Sequence, residues 1–183
     1  MAERVPAKRR EFDAFSGLQN NVWAQLRIAK ELKGQLHGLK GKRILEIGVG
    51  NGSLMELLES QGAEAHGIDV RWENVKAARR RGLKRVVKGN AAALEKSFSA
   101  KRPFDAVVSS RVLEPVVVNK ADARRILEGA YALTRPGGVH VHYTFEAGPA
   151  PQLLKDAGMK VLKKENLGHD REYHHLVVAK KPN

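Results

Sequence analysis

The stretch RILEIGVGNGSLMELL, residues 43–58, holds an apolar run, three glycines on alternate positions, and leucines at helical spacing. The apolar run predicts a buried strand, and the leucines predict a helix directly after it. Glycines between a strand and a helix let backbone amides approach a ligand at the positive end of that helix. They also suit a tight turn with no ligand. Glu46 precedes them, so the first interpretation places a carboxylate beside the ligand.

The remainder of the chain repeats the alternation of strand and helix, which predicts a mostly parallel sheet with helices on both faces. The last two strands are joined by GHDR, residues 168–171, which is too short for a helix and predicts an antiparallel hairpin. We therefore expect an α/β fold with a Rossmann-like seven-stranded sheet. Predicted strands are 43–48, 63–70, 84–90, 104–110, 139–145, 159–167 and 172–181, and predicted helices are 18–36, 53–62, 72–82, 91–97, 120–134 and 149–158, with RPGG (135–138) ending the fifth helix.

Length and composition exclude several classes of protein. A length of 183 residues predicts one domain. Within it, we expect residues 1–40 to form a basic segment with the first helix, and residues 41–183 to form the core. The absence of cysteine excludes disulfides, thiolate metal sites and a cysteine nucleophile, and it fits a cytoplasmic protein. No apolar run approaches the roughly 20 residues of a membrane span, and no signal-type core follows the N-terminus, so no membrane association is expected.

The charge is strongly positive, with 33 Lys and Arg against 20 Asp and Glu, a net +13 and a pI near 10.2. Such a field favours nucleic acid, anionic lipid or an acidic small molecule, although a generally basic surface accounts for it equally well. The excess is spread along the chain, at +6 over residues 1–43, +2 over 44–100 and +5 over 101–183. Local clusters occur only at AKRR (7–10) and ARRRGLKR (78–85).

Two polar residues follow successive predicted strands. Asp69 lies 17 residues after Gly52, where an acid accepts the hydroxyls of a ribose, and Asn90 lies where an amide meets an adenine edge. Each could instead cap the helix that follows it. Their order on neighbouring strand ends favours one nucleoside site. Ser53 stands where a dinucleotide fingerprint needs its third glycine, which disfavours a nicotinamide-dependent oxidoreductase.

The segments LEIGVGNGSL, GIDV, KGNA, FDAVVSSRVLEP and LTRPGGVHVHY resemble the successive motifs of class I S-adenosylmethionine-dependent methyltransferases over about residues 41–181. The resemblance implies S-adenosyl-L-methionine as cofactor, with the methionine portion near Glu46 and the glycine turn, the ribose at Asp69 and the adenine at Asn90. A carboxylate complements the cofactor's sulfonium and ammonium and would repel a phosphate. The implied cofactor-binding residues are Glu46, Gly48, Gly50, Asn51, Gly52, Asp69, Val70, Asn90, Ala91 and Ser109.

The acceptor side is expected after the fourth and fifth strands, with His142, Tyr143 and Glu114 as catalytic candidates. His142 is the candidate base because histidine titrates near neutral pH, and a packed core histidine is the alternative. SSRVLEP, residues 109–115, lacks the Asn/Asp-Pro-Pro-aromatic motif of enzymes that methylate nucleic-acid bases, and Pro115 replaces a histidine of related small-molecule enzymes. No histidine spacing supports a metal site, and His169, His174 and His175 are assigned to the hairpin.

The function expected from the resemblance is methyl transfer to an O, N, S or C atom of a small, anionic acceptor. The alternatives are methylation of RNA or protein, motivated by the charge, and S-adenosylmethionine binding without catalysis. Before the first strand, apolar residues at Val22, Leu26, Ala29 and Leu32 predict a helix. Phe12, Phe15 and Trp23 either form a lid over the cofactor or belong to a helix that packs on the sheet.

Overall fold

The computed structural model describes residues 18–115, 117–144, 150–167 and 174–183. The predicted segment before residue 18, with Phe12 and Phe15, and the GHDR connection lie outside the described residues. The helices are α1 Leu18–Gln35, α2 Ser53–Ser60, α3 Trp72–Arg80, a 3₁₀ helix Ala91–Lys96, α4 Lys120–Leu133 and α5 Ala150–Asp156. The strands are β1 Arg43–Ile47, β2 Glu64–Asp69, β3 Val86–Lys88, β4 Phe104–Ser110, β5 Thr134–Thr144, β6 Lys160–Asn166 and β7 His175–Lys180.

The seven strands form one sheet in the order β3-β2-β1-β4-β5-β7-β6. Strands β1 to β5 run parallel, whereas β7 pairs antiparallel with both β5 and β6. The predicted Rossmann-like sheet with its terminal hairpin is confirmed. Because strand order reverses between β1 and β4, the carboxyl ends of these strands border the crevice in which such sheets bind ligands.

Helix α1 packs on the face of the sheet that also carries α2 and α3, with Ala24, Ile28 and Leu32 buried against it. Its predicted helical spacing is confirmed, but Val22 and Leu26 remain 53% exposed. The buried stripe is therefore rotated from the one that the apolar residues suggested. For this segment we expected either a lid over the cofactor or a helix that packs on the sheet. In its described part, the structure shows a helix that packs on the sheet. Helices α4 and α5 cover the opposite face.

The junction between α4 and β5 differs from the prediction. RPGG was expected to end the helix and precede a strand at 139, but α4 ends at Leu133 and β5 begins at Thr134. The glycines lie inside the strand as a bulge, since Thr134 pairs with Phe104 and Val139 pairs with Ala106. A Cβ on Gly138 would lie 3.0 Å from the Asp105 carbonyl oxygen, so glycine is required by this close approach rather than by a helix end.

Two histidines of β5 are buried on the α4–α5 face. Nδ1 of His142 and the Ser109 hydroxyl form a hydrogen bond of 2.8 Å. Nε2 of His140 and the Thr134 hydroxyl form a second one, also of 2.8 Å. Burial lowers the pKa of His142 to about 4 and holds the pKa of His140 well below its usual value, with the neighbouring His142 adding to the second effect. Both rings are therefore neutral in the folded protein near pH 7.

This burial predicts a loss of stability on mild acidification. Above the unfolded histidine pKa of about 6.5 both states carry neutral rings, but as the pH falls towards 4 only the unfolded chain binds the proton at His142. The free energy of unfolding should fall by about 2 kcal/mol between pH 7.5 and pH 5 through His142 alone. Urea titrations of the native protein and of His142→Asn measure this as the difference in pH slope. Equal slopes for the two proteins would contradict the assignment.

Candidate active site

The glycine turn joins β1 to α2, and all three glycines have left-handed backbone, with φ of +78° at Gly48, +56° at Gly50 and +86° at Gly52. A Cβ on Gly48 would lie 2.3 Å from Val112, and one on Gly52 would lie 2.6 Å from Leu83. These two glycines serve tight packing. A Cβ on Gly50 would meet no described atom within 4 Å, so the middle of the turn faces open space.

Asp69 holds the turn from the carboxyl end of β2. One carboxylate oxygen accepts hydrogen bonds from the Gly50 amide at 3.0 Å and the Asn74 side chain at 3.0 Å. The other accepts from the Arg71 amide at 2.8 Å, at the start of α3. Asp69 therefore binds the glycine turn and the amide of Arg71, the residue before α3. The N-cap of α3 is Arg71, so Asp69 does not take the capping role considered for it. Its position places a buried carboxylate beside the open space over Gly50.

Glu46 lies near the end of β1 with its carboxyl group in the core, at 3% exposure. Its Oε2 has no hydrogen-bond partner among the described residues. Burial, and next the nearby negative charge of Asp69, raise the pKa of Glu46 well above its usual value, while a hydrogen bond from the Met55 amide opposes this rise. A buried carboxyl group of this kind is costly without a partner, and a cationic group would satisfy it.

The residues expected at the adenine lie on the neighbouring strand ends. Val70, directly after β2, is 67% exposed. Asn90 is exposed two residues after β3, and its side-chain oxygen accepts a 2.9 Å hydrogen bond from the Ala92 amide at the start of the 3₁₀ helix. The capping role considered for Asn90 is thus present in the structure. Ala91 is half-buried beside it.

A link between α1 and the glycine turn was missed by sequence reasoning. Gln25 donates a 2.8 Å hydrogen bond to the Ser53 hydroxyl, which in turn donates to the Asn51 side chain at 2.6 Å. Asn51 also accepts from the Ser53 amide at 3.1 Å and so satisfies a free amide at the start of α2. Asn51 and Gln25 thereby tie the first helix to the turn. The sequence offered no signal for this contact, because 28 residues separate Gln25 from Ser53.

The acceptor-side candidates lie on both faces of the sheet. Ser109 and His142 form a buried pair on the α4–α5 face. Tyr143 points to the α1 face, where its hydroxyl is hydrogen-bonded to His174 and the two rings stack at 5.6 Å. Trp23 lies edge-on to Tyr143 at 6.4 Å. Thus His174, assigned to the hairpin by sequence, meets Tyr143 at the carboxyl end of β5.

The turn after β4 is strained and charged. Arg111 has a left-handed backbone with φ of +62°, and its amide donates a 2.8 Å hydrogen bond to the Tyr143 carbonyl. Its Nε lies 3.5 Å from the buried Glu114 carboxylate. A non-glycine residue in this conformation is uncommon and is retained where the surroundings determine it. The ion pair fixes both side chains beside the carboxyl ends of β4 and β5.

The sheet order and the glycine turn at its crevice define a Rossmann-like protein with the methyltransferase type of sheet. The family described as "Methyltransferase domain" matches residues 45–142, more than half of the chain. The chain belongs to this family and is a class I S-adenosylmethionine-dependent methyltransferase, which takes its methyl group from S-adenosylmethionine. Oε2 of Glu46, which has no hydrogen-bond partner among the described residues, and the open space at Gly50 fit a cofactor that carries positive charge.

Three similar proteins are between 17% and 32% identical to this chain over the aligned residues. The chain is similar to a ubiquinone biosynthesis O-methyltransferase of Bordetella avium, at 27% identity over 91% of this chain and 73% of the relative. A protein of the same name from Bordetella pertussis is 32% identical over 66% of this chain, which spans about half of that relative (49%). Among solved structures, the N-methyltransferase NodS of Bradyrhizobium japonicum shares the fold, with a TM-score of 0.72 at 17% identity, covering 89% of this chain and 97% of NodS.

The burial of Glu46 predicts that Glu46→Gln stabilises the cofactor-free protein at alkaline pH. A raised folded pKa means that stability falls as the pH rises from the unfolded value, about 4.3, through the folded one. The glutamine variant lacks this loss, so at pH 8 its free energy of unfolding should exceed that of the native protein by about 1–2 kcal/mol. Urea titrations at pH 4.5, 6 and 8 check that the gap widens with pH.

Glu64→Gln is the matched control. The hydrogen bond from His66, together with Arg43, holds the pKa of Glu64 below its usual value, so this carboxylate stabilises the fold when ionised. Removing it should lower the free energy of unfolding above pH 4.5, the opposite sign to Glu46→Gln. A Glu46→Gln protein that is less stable than the native one at pH 8 would show that the Glu46 carboxylate is already compensated.

Proposed function

We propose that this methyltransferase methylates an oxygen atom of a small, anionic acceptor. The observation that carries the proposal is the similarity to the ubiquinone biosynthesis O-methyltransferases over as much as 91% of the chain. The net charge of +13 supports an anionic acceptor. No helix in the described part of the chain is long and apolar enough to cross a membrane.

We further propose that the glycine turn and its neighbours hold the cofactor, which supplies a methyl group already activated on a positively charged sulfur. Glu46 would face the cationic methionine end, because one oxygen of its buried carboxyl has no hydrogen-bond partner in the part of the chain that the structure describes. Asp69 would accept the ribose hydroxyls while keeping its bond to the Gly50 amide. The exposed Val70 and Asn90 would contact the adenine, with Ala91 beside them.

On the acceptor side, His142, Tyr143 and Glu114 stay predictions as catalytic residues. His142 is fully buried and neutral near pH 7, and its contact is with Ser109, so its proposed influence runs through the end of β4. The backbone carbonyl of Tyr143 accepts from the Arg111 amide, and the Glu114 carboxylate lies 3.5 Å from Arg111 Nε. Their proposed work is to align the acceptor and to receive its proton.

The cofactor proposal predicts a specific sensitivity at Gly50. A Gly50→Ala side chain would project into the open space of the turn, which the cofactor would occupy, and should weaken S-adenosylmethionine binding at least tenfold by titration calorimetry. Gly41→Ala is the matched control, since Gly41 also has positive φ (+73°) with no described atom near a Cβ. Both alanines carry similar backbone strain, about 1 kcal/mol. If the two variants bind the cofactor equally well, the turn is not the cofactor site.

The acceptor proposal is tested by methyl transfer from radiolabelled S-adenosylmethionine to metabolite pools, total RNA and protein extract in parallel. We expect label in the small-molecule fraction, in a product that carries a new O-methyl group. Label only in RNA or only in protein would overturn the choice of acceptor and leave the family assignment intact. Cofactor binding with no label in any fraction would support the alternative of a non-catalytic binding protein.

A further inference from the structure

A concentration of positive charge lies at the β3 edge of the sheet, on the residue before α3, on α3 and β3, and on the loop between them. Residues 71–88 contain eight basic residues and one acid, Glu73. All eight are exposed in the structure. We call this surface the basic edge; its members are Arg71, Lys76, Arg79, Arg80, Arg81, Lys84, Arg85 and Lys88.

Part of this charge is neutralised within the fold. Arg81 pairs with Glu56 at 2.7 Å and Arg85 with Glu59 at 3.3 Å. The guanidinium of Arg79 lies 5.3 Å over the Trp72 ring and donates to the Val86 carbonyl at 2.9 Å. The other five members form no ion pair with any residue that the structure describes; they are Arg71, Lys76, Arg80, Lys84 and Lys88.

We propose that the basic edge binds single-stranded RNA through its phosphates. Helix α3 alone spans nine residues, about 13 Å, and β3 extends the array of cations beyond it. An array of this length matches several phosphates of a polymer rather than one anionic group. Trp72 is 41% exposed within the array, and a base can stack on the side of its ring that Arg79 does not cover.

The packing of α3 favours RNA over a membrane or an acidic protein. A helix that lies in a membrane surface inserts an apolar face, but the apolar side of α3, Val75 and Ala78, is fully buried against the sheet. Protein interfaces have an apolar centre, whereas the segment 70–88, all of which the structure describes, exposes only two large apolar residues, Val70 and Trp72. A polar and strongly positive surface is typical of a nucleic-acid interface.

The basic edge is separate from the expected acceptor side. Its two ends adjoin Asp69 and Asn90, on the adenosine side of the proposed cofactor site. Strands β2 and β1 lie between β3 and β4 in the sheet, so the acceptor candidates at the ends of β4 and β5 are on the other side of the crevice. RNA held here would contact the enzyme without being its methyl acceptor, and this binding does not depend on the proposed acceptor.

The test is fluorescence anisotropy with a labelled 20-nucleotide single-stranded RNA at 50, 100 and 200 mM salt. Five phosphate contacts predict a slope of log affinity against log salt near −3.5, so affinity should fall about 100-fold over this range. The triple variant Arg80→Glu, Lys84→Glu, Lys88→Glu should weaken binding at 50 mM salt at least tenfold and reduce the slope by about 2. The same positions changed to glutamine provide a milder second variant.

The matched control changes Lys101, Lys155 and Lys160 to glutamate, three exposed lysines away from the basic edge. It alters net charge by the same amount and should change RNA affinity less than threefold. S-adenosylmethionine binding and thermal unfolding should match the native protein in every variant used. Equal losses in both triple variants, no RNA binding by the native protein at 50 mM salt, or binding only to vesicles of phosphatidylcholine and phosphatidylglycerol would overturn the proposal.

Discussion

The site depends on the hydrogen bonds that the Asp69 carboxylate accepts, because they join the end of β2 to the glycine turn and to the start of α3. The carboxylate accepts from Gly50 in the glycine turn, from Arg71 at the start of α3, and from the side chain of Asn74. These bonds to a charged acceptor are stronger than neutral ones, and they hold the ends of β1 and β2 at a fixed separation. The buried Glu46 then remains beside the turn, where a cation would compensate its desolvation.

Within residues 44–88, acidic and basic residues occupy separate segments of the sequence, and folding places these segments at different surfaces. Residues 44–70 contain five acids and no base, whereas residues 71–88 contain eight bases and one acid. Folding buries Glu46 and Asp69 at the crevice and pairs Glu56 and Glu59 with Arg81 and Arg85. The other cations of the basic edge form no ion pair with the described residues. The same sheet therefore presents an acidic crevice and a basic outer edge, two surfaces suited to ligands of opposite charge.

The order and type of the elements followed from local pattern. Apolar periodicity placed all seven strands and the helices, and β4 matches the expected 104–110. Parallel strands bring their carboxyl ends to one edge of the sheet, so the sequence also predicted that Glu46, the glycine turn, Asp69 and Asn90 follow neighbouring strand ends at that edge. The motifs at these positions also carry the resemblance to class I methyltransferases, and that resemblance implied the cofactor.

The tertiary structure decided which faces these residues use and which distant residues they meet. It rotated α1 so that Leu26 is exposed, and it placed RPGG (135–138) inside β5 rather than at a helix end. It turned His142 into the core against Ser109, and it brought His174 to Tyr143 across the antiparallel pair. Spacing along the chain fixes an element, but the partner of a side chain depends on packing between segments that are far apart in sequence. Sequence therefore determined the fold and the cofactor, while packing determined the surroundings of each catalytic candidate.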